Sequence, residues 1–155
     1  MSHQTSADST LEEFQNQYRQ LKFMESRLIE QRDILKHKLP EIKRALDIVT
    51  HLQNSTGSEK GVLTHYELTT HVWADAEVPP ETNTVFLWLG ANVMAEYTYE
   101  EALELLTNNH NQGQKSLDSY NSQLETLKDQ ITITEVNIAR VFNWDVKERR
   151  KKAAK

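Results

Sequence analysis

The sequence predicts a mainly α fold: a long antiparallel coiled-coil helical hairpin, with two inserted β-hairpins forming an oligomerisation hub. Three observations point there. Gly and Pro number only 4 and 3 in 155 residues, which disfavours a turn-rich all-β fold. Two segments of matched length place apolar residues at alternating steps of three and four, the spacing of a narrow coiled-coil stripe. Between them, residues 62–98 change to short β-permissive runs broken by turn residues. The expected order is a disordered stretch 1–8, a helix within 9–56, the hub 62–98, a helix 99–147 and a basic tail 148–155.

The first stripe is Leu11, Phe14, Tyr18, Leu21, Glu25, Leu28, Arg32, Leu35, Leu39, Ile42, Leu46 and Val49. Ser9 or Thr10 is its expected N-cap, with Glu12 or Glu13 three residues on. Asn54-Ser55-Thr56-Gly57-Ser58 reads as the helix stop. The second stripe is Leu103, Leu106, His110, Gly113, Leu117, Tyr120, Leu124, Leu127, Ile131, Thr134, Ile138 and Val141, capped by Thr98 with Glu101. Paired antiparallel with Val49 against Leu103, every stripe pair has residue numbers summing to 152. Each helix would then run roughly 60 Å or more at 1.5 Å per residue. One buried stripe per helix accounts for a hydrophobic content of only 37%. Pro40 removes a helix hydrogen bond at the level where Gly113 faces Leu39, a shared weak point. Glu25 and Arg32 are polar seam residues expected to snorkel and fix register.

The insert reads as four strands: 64–68; Val72–Val78, with Val72, Ala74, Ala76 and Val78 on one face; 85–89; and 93–97. Pro79-Pro80 and Gly90-Ala91-Asn92 interrupt them. Val85 to Leu89 is apolar on both faces, and a lone hairpin is marginal in water. The helices leave from the ends of the insert, so partner chains are expected to cover it.

No cysteine is present, which excludes disulfides, thiolate metal sites and a thiol nucleophile. No run approaches the roughly 20 apolar residues of a membrane helix, and Met1–Thr10 lacks the apolar core of a signal peptide. A cytoplasmic location is expected, with nuclear entry left open by the basic tail. On the same ground the sequon Asn54-Ser55-Thr56 is expected to stay unmodified. The net charge of −5 divides into +5 on Lys147–Lys155 and about −10 on the rest. The six histidines form no ligand spacing; His65 and His71 could only meet across a turn. Gly57-Ser58-Glu59-Lys60-Gly61 lacks the phosphate-loop spacing. No catalytic constellation, cofactor or metal is expected.

Several strings carry a family resemblance: Lys22-Phe23-Met24-Glu25, Pro40-Glu41-Ile42-Lys43, Val78-Pro79-Pro80, Leu87-Trp88-Leu89-Gly90-Ala91-Asn92-Val93-Met94, Glu96-Tyr97 and Val141-Phe142-Asn143-Trp144-Asp145-Val146-Lys147. In the order helix, two hairpins, helix, from about Phe14 to Lys147, the chain resembles an α-type subunit of the prefoldin family. The resemblance implies a heterohexamer of two α-type and four β-type subunits. Its hairpins form a double β-barrel and its six arms hold unfolded actin and tubulin, without ATP, for the cytosolic chaperonin. It implies hub residues Val72, Trp73, Val85, Phe86, Trp88, Val93 and Met94, and client-holding tip residues Leu11, Phe14, Tyr18, Val141, Phe142 and Trp144. Against the seam-closing role that suffices for Leu11, Phe14 and Val141, Phe142 and Trp144 lie off the strict stripe. The alternative is a coiled-coil scaffold or transcription-linked protein that touches nucleic acid through its basic tail.

Overall fold

A computed structural model describes residues 2–57 and 61–153. Met1, residues 58–60 of the expected loop and the last two residues of the basic tail lie outside the described residues. The elements are α1 (Ser2–Ser55), β1 (Val62–Thr69), β2 (Val72–Val78), β3 (Thr84–Gly90), β4 (Val93–Thr98) and α2 (Tyr99–Ala153). This is the helix, two hairpins, helix order that the patterning predicts.

Both helices outrun their expected ends. α1 begins at Ser2, so residues 2–8 are helical where a disordered stretch is expected, and Ser9 and Thr10 are not its cap. No Gly or Pro interrupts that stretch, and each residue added to a nucleated helix gains a hydrogen bond. α2 likewise continues beyond Lys147 to Ala153, with Arg150, Lys151 and Lys152 in its last turn, where cations suit the helix dipole. The inner ends match the expected chemistry. The Thr56 N–H donates to the Gln53 carbonyl at 3.3 Å, and Gly57 takes φ +82°, a conformation that favours glycine at a helix end. At the start of α2, the Thr98 N–H donates to Glu101 Oε2 at 3.0 Å and the Glu101 N–H donates to Thr98 Oγ1 at 3.3 Å, a reciprocal capping box.

The chain forms two compact units, Met1–Lys36 with Lys115–Lys155, and His37–Gln114. In the first, Leu21, Leu127 and Ile131 form a buried cluster with Tyr18 and Leu28 against it. Leu21 and Ile131 sum to 152. Thr134 is buried without penalty because its hydroxyl donates to the Gln130 carbonyl at 2.8 Å. Of the polar seam residues, Glu25 pairs with Lys22 and Arg32 with Asp33.

In the second unit, Val49, Tyr99, Ala102 and Leu106 form the core, with Leu46 and Leu103 packed on it. A Cβ added to Gly113 would lie 2.9 Å from Leu39 Cδ2, so the glycine makes room for a leucine that is only 6% exposed. Leu39 and Gly113 also sum to 152. α1 runs on through Pro40, whose missing N–H leaves one helix bond unmade.

β1 pairs antiparallel with β2, and β3 with β4, as two separate two-stranded sheets. Gly90, Ala91 and Asn92 all adopt positive φ. A tight hairpin needs this at both central turn residues, Ala91 and Asn92. One expectation is corrected here. The helices do not leave the insert uncovered, because Val85, Leu87 and Tyr97 pack on the Val49–Tyr99–Ala102–Leu106 core. One face of the second hairpin is therefore satisfied within the chain, and only the other calls for a partner.

Candidate functional site

Two surfaces stand out, one on the hairpins and one between the helices at their outer ends. On the second hairpin, cross-strand partners share a face and neighbours along a strand alternate. Val85 opposite Tyr97 and Leu87 opposite Ala95 define the covered face. Phe86 opposite Glu96 and Trp88 opposite Met94 define the other. That outer face is open: Phe86 is 64%, Trp88 60% and Met94 55% exposed, and Leu89 and Val93 are exposed next to the turn. Val85 thus serves the chain's own core rather than the open face, because alternation turns it inward.

The first hairpin segregates charge. Leu63 opposite Glu77, His65 opposite Asp75 and Glu67 opposite Trp73 put all three of its carboxylates on one face. His65 Nδ1 lies 2.7 Å from Asp75 Oδ1 across the strands. The other face, Val62, Thr64 and Tyr66 opposite Val78, Ala76 and Ala74, carries no charge. Val62, Val78 and Ala74 are half-buried there, while Tyr66 is exposed. Trp73 thus shares the acidic face, and Val72 sits exposed beside the turn opposite Thr69. The signal that would have revealed Tyr66 was in the sequence: carboxylates at Glu67, Asp75 and Glu77 fall on one parity of each strand. His71, in the turn at φ +69°, does not join His65. Among the described residues no group of three or more His, Asp or Glu could hold a metal ion.

Between the outer ends of the helices lies a groove of about 350 Å³ lined by Leu11, Gln15, Tyr18, Glu135, Ile138, Ala139 and Phe142. It brings together three expected tip residues, Leu11, Tyr18 and Phe142. Leu11, Phe14, Tyr18 and Val141 are half-buried along the seam, and Phe142 is 55% exposed at the groove edge. Trp144 does not join them. It follows Phe142 by two residues, about 200° around the helix, and lies exposed on another side. The Tyr18 phenol hydrogen-bonds to Glu135, and this bond, with some desolvation and the carboxylate's charge, holds the phenol above its ordinary ionisation range. Arg149 bridges the two helices here, 3.3 Å from Asp8 and 2.7 Å from Asp145. Gln15, Glu135 and Ala139 could not be found from an apolar pattern, because they flank the stripe rather than form it.

Comparison with known proteins adds the following. The Prefoldin family, described as prefoldin subunit, matches residues 21–144. Prefoldin subunit 3 of Mus musculus is 46% identical over 145 residues, covering 94% of this chain and 74% of that protein. Probable prefoldin subunit 3 of Schizosaccharomyces pombe is 42% identical over 145 residues, covering 94% and 84%. Among solved structures, the cryo-EM structure of filamentous PFD from Methanocaldococcus jannaschii aligns with a TM-score of 0.58 over 81% of this chain and 98% of that one. At 16% identity this last likeness concerns the fold alone.

Proposed function

The chain belongs to the prefoldin family, and from that premise we propose a division of labour between its two surfaces within a co-chaperone. As a prefoldin subunit it has other prefoldin subunits as partners. The outer face of the second hairpin, Phe86, Trp88 and Met94, together with the uncharged face of the first, joins a heterohexamer of two α-type and four β-type subunits. The groove edged by Leu11, Tyr18 and Phe142 holds apolar segments of unfolded actin and tubulin, which pass to the cytosolic chaperonin. The work is done in the cytoplasm and without ATP.

The observation that carries this reading is the groove. It is apolar, open and placed where a single buried stripe ends. Each apolar group it covers gains about 25 cal/mol per Å² removed from water. One groove of this size binds weakly, but several in one assembly bind together with useful avidity. The nucleic-acid alternative loses ground because part of the basic end is spent internally: Arg149 on Asp8 and Asp145, and Lys151 on Glu148 at 2.9 Å.

The test is suppression of light scattering by chemically denatured actin, using the complex reconstituted with its partner subunits and no nucleotide. Suppression is expected, and replacing Leu11 and Phe142 by Ser should weaken it several-fold while leaving the complex intact. Equal suppression by the double variant would overturn the role given to the groove.

A further inference from the structure

Trp144 is left unexplained by the groove, and it is not alone. Ile133, Val136, Arg140, Trp144, Lys147 and Lys151 succeed one another on α2 at steps of three or four. At 3.6 residues per turn that spacing draws one straight line along a helix. All six are exposed, with Ile133 at 60%, Val136 at 44% and Trp144 at 50%. The line lies away from the face that α2 turns toward α1, where Ile131 and Thr134 are buried and Ile138 and Val141 half-buried. Three apolar side chains and three cations thus share a helix face that α1 does not cover. Along that line toward the amino terminus, the first acidic residue is Asp129. Among the described residues, Arg140 and Lys147 have no carboxylate within ion-pair distance, and only Lys151 is paired, to Glu148. A cationic line is an exception on this chain, since outside Lys147–Lys155 the charge is about −10.

We infer that this face of α2 docks an acidic amphipathic helix of a partner protein, distinct from the unfolded chains held in the groove. Exposed apolar side chains rimmed by charge mark interaction surfaces. Steps of three and four are what a second helix reads with its own apolar anchors. The long stems of Arg140 and Lys147 can cover apolar surface while their heads meet carboxylates of the partner. A phosphate backbone would engage the cations but has no use for Ile133 and Val136, which stand at the end of the line away from Lys147 and Lys151. Charge complementarity therefore selects a helix with Glu or Asp flanking apolar anchors.

The probe is a fluorescent synthetic peptide of about three heptads, with Leu at alternating steps of three and four and Glu at the flanking positions. It is titrated against the reconstituted complex, alongside the same peptide with Lys for Glu, a thymine oligonucleotide and anionic phosphatidylserine vesicles. The acidic peptide should bind, weaken as salt rises, and lose about tenfold or more in affinity in the Arg140→Glu, Lys147→Glu variant. Ile133→Ser, a second variant without charge change, should weaken it several-fold. Both variants should retain the helical circular dichroism and the actin suppression of the unaltered complex, since none of the three residues lines the groove. Equal binding of the Lys peptide, preferential binding of the oligonucleotide or vesicles, or unchanged affinity in the charge-reversed variant would overturn the inference.

Discussion

The pairing of Leu39 with Gly113 offers a direct test of the helix register. Gly113→Ala removes a helix-interior glycine, which by itself stabilises by about 1 kcal/mol. The new methyl would stand 2.9 Å from Leu39 Cδ2 and 3.7 Å from its Cγ, so the leucine end must move. Displacing a well-packed side chain costs about 1–3 kcal/mol, and the single variant should come out neutral or up to about 2 kcal/mol destabilised. Leu39→Ala alone should cost about 2–5 kcal/mol. With Leu39 already trimmed, Gly113→Ala meets no obstacle and should stabilise by about 1 kcal/mol. The two changes should therefore couple by about 1–3 kcal/mol. Amide hydrogen exchange over residues 36–46 and 109–117 reads these local free energies without requiring a two-state transition. A coupling below about 0.5 kcal/mol would mean that the residues do not touch, and the sum rule of 152 would fall with it.

Further predictions follow from local chemistry. Ala91→Gly relieves a non-glycine residue at φ +48° in the second hairpin turn and should stabilise the hairpin by about 1 kcal/mol, read as slower exchange in 84–98. Thr98→Ala removes the cap hydroxyl and should destabilise the start of α2 by about 1 kcal/mol by the same assay. The Glu101 carboxyl is held below its ordinary value of 4.5, first by the Thr98 N–H and then by the Thr98 hydroxyl. Its folded value is the lower one, so its contribution is present above about pH 4.5 and fades as pH falls through the depressed value. Protection of residues 99–105 should accordingly drop on acidification, and Glu101→Gln should flatten that drop. Tyr18 behaves in the opposite sense: its folded value is raised above 10, so its contribution is intact below that pH and is lost as pH rises through the raised value. Difference absorbance at alkaline pH should show Tyr18 titrating late, and Glu135→Gln should lower its midpoint.

Much of the fold could be read from the chain because each element repeats its own signal. The stripe fixes which side of each helix is inward, and the sum of 152 recurs at Leu21 with Ile131 and at Leu39 with Gly113. Strand limits were found to within two residues because Pro79-Pro80 and Gly90-Ala91-Asn92 bracket them. The outer helix ends were not found, since nothing in residues 2–8 or 148–153 forbids helix and a stop needs a positive signal. Face assignments in the hub were harder. Val85 and Phe86 are both apolar, and only the packing of Val85, Leu87 and Tyr97 onto the helices separates the inner set from the outer. The flank that Trp144 takes could not be read for a similar reason. Being off the stripe says that a residue avoids the seam, but not which flank it takes.

The claim on which the rest depends is that this chain completes its core only with partner subunits. Native mass spectrometry of the chain isolated with its partners, beside Phe86→Ser and Trp88→Ser variants, tests it most directly. A six-subunit mass that the variants lose while their helical circular dichroism persists is the expected result. A stable, cooperatively folding monomer, or an assembly indifferent to both changes, would contradict it.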